Sequence, residues 1–217
     1  KIEALLTVEE ETGLTGAIKM QKGFFVGKRM INLDSEEQGT IYIGSAGGGG
    51  TQYAIPVKFE EAKRWKGIKL EINGLLGGHS GVDIHLPRIS ANKLLGEGLK
   101  AVKEEEVPLR IVRIEGGTRG NAIARSAYCD FLVPDDEIEK AKRLLEKWKT
   151  GTEKESIEKE MKIRFSKIPV GNAFSEEKTG SVIGIITEVH HGPFSWSEDI
   201  EGLVQTSNNL GIVRTEK

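Results

Sequence analysis

The sequence predicts an α/β protein in two parts. Residues 1–48 read as part of a mixed sheet, and residues 49–217 as a two-layer α+β domain. Three observations predict this. Ile2 to Val8 is a nearly continuous apolar run, as in parallel strands buried on both faces. Gly47-Gly48-Gly49-Gly50 has maximal backbone freedom and reads as a hinge. Beyond it, alternating apolar runs interleave with amphipathic helices, the pattern of helices packed on one face of an antiparallel sheet.

Taken in order, residues 2–8 predict a strand, 13–22 a short helix, and 30–33 and 40–44 two further strands. If the first strand, helix and second strand form a parallel crossover, both strands end on the same sheet edge, where ligands bind in open α/β sheets. Residues 51–57 and 68–72 alternate as antiparallel strands do. Ser90 is placed to cap a helix reaching about Glu105, with Leu94, Leu95, Leu99 and Val102 on one face. Residues 109–114 and 126–133 predict two more strands. Pro134-Asp135-Asp136-Glu137 starts a second helix striped by Ile138, Ala141, Leu145 and Trp148, with a break expected at Gly151. Residues 162–168 predict a strand, 182–189 a helix and 210–213 a last strand. His190 and His191 follow that helix as partners for its C-terminal dipole.

Composition narrows the function. The 217 residues carry 31 Lys and Arg against 33 Asp and Glu. That near balance, with no basic stripe, argues against nucleic acid. No apolar run approaches the roughly 20 residues that span a bilayer. Cys129 is the single cysteine, so an internal disulfide is excluded. Its apolar strand setting predicts a buried structural thiol, and a reducing cytoplasm is the default compartment. Lys1 opens directly on a strand-like run, which suggests an internal segment of a longer protein.

Two acidic clusters follow the first two predicted strands: Glu9-Glu10-Glu11 and Asp34-Ser35-Glu36-Glu37. Gathered carboxylates repel unless a cation neutralises them, and a divalent metal is the usual answer. One carboxylate can bind metal while its neighbour acts as general base on metal-bound water. An isolated Glu triplet also reads as a solvated helix start. In Gly77-Gly78-His79-Ser80-Gly81 the glycines free the backbone and expose the imidazole, which can hydrogen-bond an oxyanion or a carboxylate. Taken alone, the motif reads first as a glycine-rich turn with an incidental His. In Gly116-Gly117-Thr118-Arg119-Gly120-Asn121 the Arg119 and Asn121 side chains can grip a carboxylate or carbonyl, and Gly-Asn pairs are also ordinary turn formers.

Together these segments resemble a family. Leu5 to Ala17 resembles the metal-binding glutamate segment of the di-zinc aminopeptidase and carboxypeptidase superfamily. Ile31 to Glu37, Ile41 to Gly48, Gly77 to Gly81, Ala91 to Leu95, Gly117 to Ile123 and Gln205 to Val213 are similar to its aminoacyl-histidine dipeptidase branch. The resemblance implies a zinc-peptidase catalytic domain, represented in part by residues 1–48, followed by a lid and dimerisation domain. It implies two zinc ions per full-length subunit (other divalent metals being possible), a small peptide substrate and a homodimer formed through the lid. Glu10 matches the general base, Glu11 and Asp34 match zinc ligands, and His79 matches a lid histidine that reaches the partner's site in related dimers. Asn121, with Arg119 beside it, matches a substrate contact. The family's earlier His-x-Asp segment and late His ligand have no match here. This implies weak metal binding and no peptidase activity for these residues alone. A non-catalytic α+β binding or dimerisation module, or a related tripeptidase or deacylase, are the alternatives.

Overall fold

The computed structural model describes residues 2–10, 13–34 and 38–216. The chain divides into two compact units, residues 1–47 and 48–217. In the first unit the described residues form one four-residue helix, α1 (Thr15–Ile18), and no strand. The strands predicted over 2–8, 30–33 and 40–44 do not form, and the predicted helix over 13–22 shrinks to about one turn. A strand needs a neighbour to take up its N–H and C=O groups, and the described residues of this unit offer none. Side chains that a buried strand would hide stand in solvent: Leu6 is 92% exposed and Ile43 100%. The parallel crossover predicted to bring both acidic clusters to one sheet edge is therefore absent among the described residues.

In the second unit residues 51–58 are irregular where a strand was predicted. The elements then run β1 (Phe59–Glu60), β2 (Trp65–Asn73), β3 (Gly78–His79), α2 (Ala91–Lys103), β4 (Arg110–Gly116), β5 (Ala122–Ile123) and β6 (Ala127–Pro134). There follow α3 (Ile138–Glu155), β7 (Lys162–Ile168), β8 (Ala173–Phe174), α4 (Glu176–Glu188), β9 (Gly192–Trp196), β10 (Val204–Asn208) and β11 (Val213–Arg214). Five strands make one sheet in the order β11-β4-β6-β2-β7, with every pairing antiparallel. Within it, β2-α2-β4-β6-α3-β7 is the split βαβ arrangement of ferredoxin-like domains. Three two-stranded ladders, β1–β8, β3–β5 and β9–β10, surround it.

Period-2 alternation sends Ile68, Leu70 and Ile72 of β2, and Ala127, Cys129, Phe131 and Val133 of β6, to one sheet face. On that face lie the apolar stripes of α2 (Leu94, Leu95, Leu99, Val102) and α3 (Ala141, Leu145), and α4 adds Val182, Ile183 and Ile186. Each fully buried leucine contributes roughly 1.5–3 kcal/mol. Cys129 is fully buried here, as predicted. Burial, then the charge of Asp130, pushes its thiol well above the ordinary range. A register shift between Ile111 and Arg113 lets β4 keep Ile111 and Ile114 inward.

The opposite face is polar around Tyr128, while Leu132 is buried there against Ala62 and Ala173. Lys69 and Arg113 lie over the Tyr128 ring, at 4.5 Å and 5.7 Å from its centroid. Beside them burial pushes the Asp130 carboxyl up, against the pull of Lys69 and Arg113 and with the push of Glu71. At the β1 end, buried Arg110 clamps the β1–β8 ladder. Its Nε donates to Phe174 O at 2.7 Å, and one terminal nitrogen donates to Ala173 O at 3.2 Å and to Glu60 Oε2 at 3.0 Å.

Helix ends depart from expectation at several points, α4 beginning at Glu176 rather than at Val182. Ser90 is the N-cap of α2, but its hydroxyl makes no capping bond. Gly151 does not break α3, which runs through it to Glu155; the cost of an interior glycine is only about 1 kcal/mol. The C-terminal carbonyls of α4 are served by Lys93 rather than by the histidine pair. The Lys93 ammonium donates to Ile186 O, Thr187 O and Val189 O at 2.9, 2.6 and 2.7 Å. His190 instead stacks on Phe194, ring centroids 3.9 Å apart.

Candidate functional site

The two glycine-rich loops singled out in the sequence meet in the second unit. β3 pairs with β5, setting His79 opposite Ala122, and Ser80 N donates to Asn121 O at 2.9 Å. The His79 segment and the Arg119–Asn121 loop thus share one edge. Gly77 and Gly78 sit at φ +64° and +143°, and a Cβ on Gly78 would lie 2.7 Å from Asp83 Oδ2. That oxygen accepts the His79 backbone N–H at 2.8 Å. The imidazole is fixed from the other side: Nδ1 accepts the N–H groups of Gly81 and Val82 at 3.1 and 3.2 Å. With Nδ1 committed as an acceptor, the neutral ring carries its hydrogen on Nε2. His79 is exposed, so this N–H is available to a ligand.

The Gly116–Asn121 loop is held by two asparagines whose roles the sequence reading did not identify. Asn209 Nδ2 donates to Gly120 O and Ala122 O, both at 2.9 Å, bracketing Asn121. Asn92, buried in the first turn of α2, donates to Leu210 O at 2.9 Å and Gly211 O at 3.2 Å. A polar residue beside the apolar stripe of α2 was the available signal for Asn92. Gly117 (φ +68°) packs so closely on Gly211 that a Cβ would overlap its carbonyl oxygen. The side chains of Arg119 and Asn121 are exposed at the loop tip.

In the first unit Glu9 and Glu10 are exposed, Glu9 with φ 56°. The Glu10 carbonyl accepts Gly13 N and Leu14 N at 3.3 and 3.1 Å, a tight turn after the apolar run. Asp34 is exposed, its N–H donating to Asn32 Oδ1 at 2.9 Å. Glu11, and Ser35 to Glu37, lie outside the described residues. Among the described residues no group of three or more His, Cys, Asp or Glu gathers to hold a metal. The donor chemistry agrees: residues 1–78 contain no His and no Cys, whereas zinc takes roughly four donors in which nitrogen or sulfur is prominent. The residues present do not fit a complete zinc site.

The ferredoxin-like unit with its glycine-held histidine is similar to a known class of domain. Residues 70–160 match the sequence model of the peptidase dimerisation domain. Along nearly its whole length the chain is similar to two dipeptidases. It is 35% identical, over 222 aligned residues, to the cytosol non-specific dipeptidase of Escherichia coli (strain K12), an alignment covering 98% of this chain and 44% of that protein. Its structure is similar to aminoacylhistidine dipeptidase from Vibrio alginolyticus, with a TM-score of 0.79, 28% identity, and coverage of 97% of this chain and 44% of that one. The chain thus spans less than half the length of either relative. No described helix is long and apolar enough to cross a membrane.

Proposed function

We propose that this chain supplies catalytic and substrate-contacting residues to a cytoplasmic, homodimeric dipeptidase that hydrolyses small peptides. The observation that carries the reading is the His79 imidazole, whose committed Nδ1 leaves Nε2–H as an exposed donor. Similarity to two dipeptidases along nearly the whole chain supports it. Residues 1–48 are assigned to the catalytic domain and 49–217 to the lid.

Glu10 takes the proton from the attacking water and returns it to the leaving amine as the C–N bond breaks. His79 donates to the scissile carbonyl oxygen as negative charge develops there. Arg119 and Asn121 hold the peptide's carboxylate or carbonyl groups. Glu11 and Asp34 are assigned as zinc ligands on sequence resemblance alone. Two such carboxylates are too few for a di-zinc site.

The test is dipeptide hydrolysis by the complete gene product. Glu10→Gln should abolish turnover, and His79→Ala should lower kcat about 10²–10³-fold, both without change in circular dichroism. Retained turnover in these variants would sink the assignment. Self-association is checked separately by light scattering after size exclusion, where a monomer at micromolar concentration would remove the dimer from the proposal.

A further inference from the structure

We propose that Glu158 is a positioning residue for His79: its carboxylate grips, with one oxygen apiece, the two ends of the loop that presents the imidazole. Oε2 accepts Leu76 N at 2.7 Å and Oε1 accepts Ile89 N at 2.9 Å. His79, its two ring-nitrogen donors and Asp83 all lie between those anchor points. Glu158 sits in the bend between α3 and β7, so both bonds are tertiary and the tether crosses the fold. The residue is 4% exposed. It is itself seated by Ser156, whose Oγ accepts Glu158 N at 3.1 Å and donates to Glu158 O at 3.2 Å.

Among the described residues no Lys, Arg or His forms an ion pair with this carboxylate. Its charge is met by two N–H dipoles and by the N-terminal end of α2, which begins two residues past Ile89. A buried charge is a costly way to satisfy two amides. What it gains over a neutral acceptor is stiffness at the base of the loop. A donor aimed at a developing oxyanion works best when it needs no reorganisation, and a displacement of about 1 Å can cost about 10²-fold in rate. The inference rests on the reading of His79 as the group that contacts the carbonyl.

Glu158→Gln keeps the shape and removes one acceptor. In the chain itself, amide hydrogen exchange at Leu76 or Ile89 should accelerate on the order of ten- to a hundredfold, the strength of a hydrogen bond to a charged group. The ¹⁵N spectrum of His79 should move from the Nε2–H tautomer toward a mixture. In the complete gene product kcat on a dipeptide should fall about tenfold or more, with KM held within about threefold. Leu145→Ala is the control for simple destabilisation; it should leave the His79 spectrum unchanged. If Glu158→Gln does not fold, Ser156→Ala, which removes only the support, is read in the same way. Unchanged exchange and an unchanged His79 spectrum would overturn the proposal, as would an equal kcat loss in Leu145→Ala. Should His79→Ala leave turnover intact, the assignment of His79 fails, while the exchange and tautomer measurements still decide the tether.

Discussion

Arg110→Met is expected to be among the most damaging substitutions in the second unit, although Arg110 lies away from the His79 loop. Its guanidinium reaches into the β1–β8 ladder and donates to the carbonyls of Phe174 and Ala173, residues only 3% and 0% exposed. Met fills a similar volume and provides no donor. Each buried carbonyl left without a partner costs roughly 1–3 kcal/mol, so the pair costs about 4 kcal/mol. Relief from burying a charge returns part of this, and the partly exposed bond to Glu60 adds little. The net expectation is about 3 kcal/mol, or about 6–12 °C in melting temperature for a unit of this size. Arg110→Lys should recover less than half, because a single ammonium cannot replace the planar fork. The assay is a thermal melt followed by circular dichroism. A fall below about 2 °C for Arg110→Met would show that these carbonyls find other partners and that the clamp contributes little.

Three further outcomes are expected. Gly117→Ala forces a side chain onto φ +68° and against the Gly211 carbonyl, so it should cost about 2–4 kcal/mol and lower the urea midpoint by about 1 M. Half-buried His191 is held below its ordinary value by burial, then by Lys93 and His190. The unfolded chain therefore takes up the proton first: stability is full above pH about 6.5 and is lost as pH falls toward the lower folded value. Melting temperature should follow that profile, and His191→Gln should flatten it. The Asp130 carboxyl is raised, chiefly by burial, so its contribution runs the other way and is lost as pH rises through the folded value. Asp130→Asn should raise the melting temperature at pH 7 and leave it unchanged near pH 3, a difference that paired melts at the two pH values would read.

What the sequence made legible follows from periodicity. β2, β6, β7 and α2 were readable because one face of each is buried and the other is not. The two-residue ladders β1–β8 and β3–β5 have no period to detect, and β9–β10, whose Phe194 and Trp196 stay exposed, was missed with them. In the first unit the apolar runs at residues 2–8 and 30–33 report a capacity for strand, and a strand exists only where a neighbour pairs with it, which the described residues of that unit do not provide. For the site, His79, Arg119 and Asn121 were legible as candidates because glycines marked their loops. Their shared edge was not, because β3–β5 pairing joins segments far apart in the chain. Lys93, Asn209 and Glu158 hold other segments through tertiary hydrogen bonds, and nothing local distinguishes them from solvated surface residues.

Cys129 gives the domain a built-in clock. The thiol is buried in the main core on β6, the central strand of the five-stranded sheet, and a disulfide-exchange reagent cannot reach it while the sheet is intact. Only opening of the core exposes it, and exposure also restores the ordinary reactivity that burial suppresses. As the chain's single cysteine, it reports without ambiguity. At high reagent concentration the labelling rate equals the opening rate. At low concentration it reports the equilibrium between closed and open forms. Both quantities can be read under native conditions, without denaturant and without an engineered probe.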